Sequence, residues 1–137
     1  MLLCSPWNGE QNYVTVFRGD GCWSWVGMEG GEQQLSLDSG CWSQGTIVHE
    51  FIHAFGFFHE QSRPDRDQYV QIIWENILED KVSNYAIKPG TNTYGVMYDG
   101  KSVMHYLTTY FNNGNGPTMK SLVCIFQKWA VFNFELL

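Results

Sequence analysis

The chain has 137 residues, with 14 Asp and Glu against 8 Lys and Arg, for a formal charge of −6. Its few basic residues are scattered, which argues against a nucleic-acid partner. Hydrophobic residues make up 44% and charged residues 16%, proportions of a packed globular protein and not of a disordered chain, and the length fits one domain.

In chain order, Tyr13 to Phe17, Trp23 to Val26 and Gln34 to Leu37 are short stretches rich in β-branched or aromatic residues. Glycines at 19, 21, 27, 30, 31 and 40 punctuate them, so the reading is three short strands joined by turns. From Trp42 to about Phe55 the pattern changes: Ile47, Val48, Phe51, Ile52 and Phe55 recur at helical spacing, with Ser43 placed to cap the helix. The apolar arc is broad and leaves Thr46, His49, Glu50 and His53 as a narrow polar strip, expected to line a cleft. After Gly56 the chain turns irregular through the charged segment 61–67, and Tyr69 to Trp74 gives a further apolar stretch. Glu75 to Tyr85 reads as a short helix. Loops rich in Gly and Asn then flank Ser102-Val103-Met104-His105-Tyr106. The sequence shows no internal repeat and no interdomain linker.

The chemistry concentrates in His49-Glu50-Phe51-Ile52-His53. Residues four apart on a helix differ by about 40° in azimuth, so both imidazoles point to one side. Gly56, three residues after His53, suits a backbone that stops a helix at positive φ, and His59 comes three later. Three histidines leave a position on zinc for water, as catalytic sites require, whereas structural sites are usually closed by four protein ligands. Glu50 stands beside the first ligand, placed to take a proton from water at the metal as it attacks a peptide carbonyl. The five-residue motif alone also occurs by chance on ordinary polar helix faces; the full string HEFIHAFGFFHE is far more specific.

That string resembles the metzincin peptidases, and Glu60 directly after His59 narrows the resemblance to the astacin family. Residues 21–27, 34–37, 40–41 and 63–67 resemble the same family. The resemblance runs from about 13 to 119 in a single partial peptidase domain, 1–137, with 120–137 a divergent apolar tail. It implies an α+β, zincin-like fold: a small twisted sheet, an active-site helix, and an irregular C-terminal half with a Met-turn. It also implies one catalytic zinc ion held by His49, His53 and His59, with Glu50 as general base. Ser102 to Tyr106 matches the Met-turn, so that Met104 forms an apolar floor and Tyr106 binds zinc or donates to the oxyanion. Read without the family, Met104 is a core gap-filler and Tyr106 an ordinary half-buried aromatic. His105 is read as structural.

Cys22 and Cys41 match positions bridged in the family, a closure worth roughly 3 kcal/mol in the chain-entropy model. Cys4 and Cys124 have no assigned partners. The even cysteine count and the family imply an extracellular location, although no signal peptide is visible and no apolar run is long enough to span a bilayer. Family members carry an N-terminal strand and a long helix ahead of the region that begins here. Their counterpart of Glu60 meets an N-terminal amine freed from a propeptide; neither is evident in this chain, so Glu60 is expected to find another cation or face solvent.

Three readings remain open from the sequence. The first is a zinc endopeptidase acting on proteins or peptides. The second is a truncated, inactive homologue that still binds zinc or a peptide. The third is a structural zinc domain closed by His49, His53, His59 and Tyr106.

Overall fold

The computed structural model describes residues 5–123; Cys4, Cys124 and the segment 124–137, most of the apolar tail, lie outside the described residues. The chain divides into two compact units at residues 57 and 58. The fold is α+β, as expected, with short strands, one α-helix and many 3-10 turns among the described residues.

In the first unit, β1 (Tyr13–Phe17), β2 (Cys22–Ser24) and β3 (Glu32–Leu37) form one sheet with β3 in the middle, parallel to β1 and antiparallel to β2. The period-two alternation of β3 turns Gln33, Leu35 and Leu37 to one buried face. Helix α1 (Gln44–Ala54) covers that face: Ile47, Phe51 and Ala54, one stripe at helical spacing, pack on Leu35, Leu37 and Cys41. Ser43 caps α1 as read, its hydroxyl accepting the Thr46 N–H at 3.0 Å. A disulfide joins Cys22 to Cys41, with their Cα atoms 5.7 Å apart, so β2 is fastened to the segment that enters the helix.

Three expectations need correction here. The second strand ends at Ser24 and does not reach Val26, because Trp25 is more than half exposed and Gly27 turns the chain at φ 82°. The helix is shorter than Trp42 to Phe55 by about one residue or two at each end. Its broad apolar arc is not buried throughout: Val48 and Phe55 are each about two-fifths exposed.

In the second unit, β4 (Val70–Ile72) pairs antiparallel with β5 (Met119–Ser121). Lys120 and Ser121, read as the start of the divergent tail, therefore stand in a paired strand. The core gathers Val70, Ile72, Ile77, Tyr85, Tyr98, Tyr106 and Met119. Tyr85 is fully buried, and its hydroxyl donates to the Tyr110 carbonyl at 2.6 Å and lies 2.9 Å from Thr118 Oγ1. Arg66 is buried too; its Nη1 donates to the carbonyls of Gln61 and Tyr85, at 2.9 and 2.6 Å, which offsets the desolvation of its charge.

The helix expected over 75–85 is instead a pair of 3-10 segments, Trp74–Asn76 and Glu79–Tyr85. Between them Ile77 bridges to Asn112 and the Leu78 N–H donates to Phe111 at 2.9 Å, so the backbone is drawn into extended pairing. Ser83 and Asn84, which compete for backbone hydrogen bonds, do not favour a longer helix.

Candidate metal centre

The first unit builds two of the expected donors from one helix turn. His49 and His53 lie four residues apart on α1, and their Nε2 atoms are 3.1 Å apart. Two nitrogens bound at 2.0–2.1 Å to one tetrahedral zinc would be separated by about 3.3 Å, so this pair fits that metal with little adjustment. Glu50, between them, is buried together with His53.

What aims His53 is the way α1 ends. Gly56 takes φ 99°, a conformation open to glycine, and the turn closes as a Schellman motif. The Gly56 N–H donates to the His53 carbonyl at 2.8 Å and the Phe57 N–H to the Ile52 carbonyl at 3.2 Å. The same turn carries the Phe57 carbonyl back to the His53 ring, where Nδ1–H donates to it at 2.8 Å. That bond fixes the tautomer and leaves Nε2 as the basic nitrogen, directed towards His49. Burial lowers the His53 pKa, more than the Phe57 carbonyl raises it, which favours the neutral, ligating form.

Burial also pushes the Glu50 carboxyl up to about 7. A carboxyl in that range accepts and returns a proton near neutral pH, which is what a general base for amide hydrolysis must do.

Sequence reasoning missed a support of this turn. The Gly27 N–H also donates to the His53 carbonyl, at 2.9 Å, and buried Gln33 holds Gly27 in place by donating from Nε2 to the Gly27 carbonyl at 2.8 Å. A polar residue on the inner face of β3 was the one available signal.

The second unit holds His59, Glu60, Met104, His105 and Tyr106. The His59 and Tyr106 rings lie with centroids 4.4 Å apart, and Tyr106 is packed edge-on against Tyr85, Tyr110 and Phe111. Its backbone N–H donates to Oε1 of fully buried Gln61 at 3.2 Å. Met104 is buried, and its carbonyl accepts the Glu60 N–H at 2.9 Å, linking the residue after His59 to the turn ahead of Tyr106. His105 is held by structure: its Nδ1–H donates to the Tyr106 carbonyl at 2.7 Å and its Nε2 accepts from the Tyr98 hydroxyl at 2.6 Å.

Glu60 has found the cation its burial required. Arg63 Nη1 donates to Glu60 Oε1 at 3.0 Å, and the same oxygen accepts the Asp99 N–H at 2.8 Å. Burial still holds the Glu60 carboxyl above its ordinary value, against the pull of these two donors. Arg63 is the second residue whose task sequence reasoning missed.

Comparison with known proteins identifies the family. Residues 3–129 match the model of the astacin family of peptidases, and the chain belongs to that family. It is 46% identical over 125 residues to meprin A subunit beta of Rattus norvegicus, covering 89% of this chain and 18% of that protein. It is 44% identical over 117 residues to zinc metalloproteinase nas-13 of Caenorhabditis elegans, covering 83% of this chain and 26% of the relative. The chain thus spans about a fifth to a quarter of the length of these relatives. Among solved structures it is similar to high choriolytic enzyme 1, a hatching enzyme zinc-protease from Oryzias latipes, with a TM-score of 0.82 and 39% identity over 86% of this chain and 60% of that one. Among the described residues no helix is long and apolar enough to cross a membrane.

Proposed function

We propose that this chain carries a zinc endopeptidase activity, with His49, His53 and His59 as the metal ligands and Glu50 as general base. The observation that carries the reading is the unbroken string HEFIHAFGFFHE in a chain of the astacin family. The donor chemistry supports it, since two imidazoles already stand with Nε2 atoms 3.1 Å apart.

Zinc, when bound, supplies a Lewis acid that polarises a peptide carbonyl and makes water a nucleophile near neutral pH. The protein's own residues do the rest. Glu50, with its carboxyl raised to about 7, accepts the proton of the attacking water and passes it to the leaving amine. The Phe57 carbonyl keeps His53 in the tautomer that ligates. Tyr106, anchored by the aromatic rings around it, presents a phenol that donates a hydrogen bond to the developing oxyanion or joins the metal at rest. The substrate class is protein or peptide chains, and the setting is extracellular, in keeping with the Cys22–Cys41 disulfide.

The test is cleavage of an unfolded protein by the zinc-loaded, oxidised chain, beside Glu50→Gln and a chelator-treated sample. The reading expects cleavage in the wild type that falls by several orders of magnitude in both controls. Cleavage no greater than that of Glu50→Gln would reject the enzyme and leave a binding homologue.

A further inference from the structure

The second unit contains a cation whose every donor is used. Arg63 Nε and Nη2 donate to the two oxygens of Asp65, each at 2.9 Å. Nη2 also donates to the Val96 carbonyl at 2.8 Å, and Nη1 to Glu60 Oε1 at 3.0 Å and to the Met97 carbonyl at 3.4 Å. The guanidinium lies 5.4 Å from the centre of the Tyr98 ring, and only 14% of the side chain is exposed. A guanidinium has five N–H donors in a fixed plane, and here each has an acceptor. An ordinary surface pair would not recruit two backbone carbonyls more than thirty residues away in sequence.

Those acceptors stand on the two segments that bring His59 and Tyr106 together. Glu60 follows His59, and its N–H donates to Met104. The Glu60 carboxylate accepts from Asp99, the Asp99 carbonyl from the Ser102 N–H at 3.0 Å, and Ser102 Oγ from the Met104 N–H at 3.1 Å. The circuit Glu60, Asp99, Ser102, Met104 therefore closes on itself. Arg63 fastens it at Glu60 and at 96–97.

We propose that Arg63 is a positioning residue of the metal site, which sets His59 and Tyr106 in register by tying the backbone after His59 to the segment 96–104. The proposal rests on the zinc reading given above. Arg63 touches neither metal nor substrate and acts through Glu60 and the loop carbonyls. A lysine, with one compact ammonium and no fork, reaches Glu60 without also spanning Asp65 and the carbonyls.

The experiment compares the full chain with Arg63→Ala and Arg63→Lys in three readouts. These are zinc affinity by competition with a chromophoric chelator, the visible spectrum of the cobalt(II)-loaded protein, and amide hydrogen exchange at Glu60 and Asp99 in the metal-free chain. Arg63→Ala is expected to weaken zinc binding about 10–100-fold, the usual effect of losing a residue that orients a ligand. It should also change the cobalt spectrum and speed exchange at both amides, with Arg63→Lys recovering part of each. Faster exchange at both amides while affinity and spectrum stay at wild-type values would overturn the proposal and leave a purely structural cation. Should Arg63→Ala not fold, Arg63→Lys decides: wild-type affinity and spectrum overturn the proposal, and a partial loss of affinity supports it. A wild-type chain that holds no zinc would reject the metal-site reading and this proposal together.

Discussion

Gly27 and Gly56 face each other so closely that a Cβ on either would meet the other's Cα at 3.6–3.7 Å, and both donate their N–H to the His53 carbonyl. The spacing is ordinary van der Waals contact, so the demand for glycine comes from the backbone, at φ 82° and 99°. The turn that ends α1 is thus also the device that aims His53.

Gly56→Ala is expected to destabilise the protein by about 1–2 kcal/mol, because an L side chain is strained at that φ while the added methyl itself fits. Urea unfolding should show a lower midpoint with an unchanged slope. An unchanged midpoint would mean that the turn relaxes at no cost.

The Cys22–Cys41 bridge joins residues 19 apart, and Cys41 is buried in the core of the first unit against α1. Reducing it is expected to cost about 3 kcal/mol through the freedom returned to the unfolded chain. Denaturant unfolding of the oxidised and reduced protein, run side by side, measures this, and equal midpoints would contradict it.

How legible all this was in the sequence depends on the range of the interactions. Helix α1, its Ser43 cap and its glycine stop were readable because periodicity, capping and positive φ are properties of neighbouring residues. The extent of the second strand was not, since Trp25 and Val26 favour a strand and it is Gln33, bonding back to Gly27, that holds the turn. The 75–85 segment failed for the same reason, its pairing partners being Phe111 and Asn112. The candidate histidines stand out in the sequence as a motif. The groups that aim them were less so: Gln33 and Arg63 act by bonding to backbone carbonyls, which leaves no spacing rule in a single sequence.

Asp65 gives a pH signature. Two N–H donors of Arg63 hold its carboxyl below the usual carboxylate range. Because the folded value is the lower one, the stability it contributes is present above its unfolded value, about 3.9, and is lost as pH falls through the folded value. With the side chain about a quarter exposed, the contribution is about 1 kcal/mol. Urea midpoints of wild type and Asp65→Asn should differ at neutral pH and converge in acid; a gap that persists below the folded value would contradict the assignment.

The function proposed for this chain depends most directly on the ligands of the metal. Zinc X-ray absorption of the loaded chain reads them without a substrate and without a crystal. The expected result is one zinc per chain with three imidazole nitrogens at about 2.0–2.1 Å and one or two oxygens. In His59→Gln one of the imidazole signals should be lost. A shell of fewer than three imidazoles in the wild type, or a His59→Gln spectrum identical to it, would contradict the three-histidine site and the function built on it.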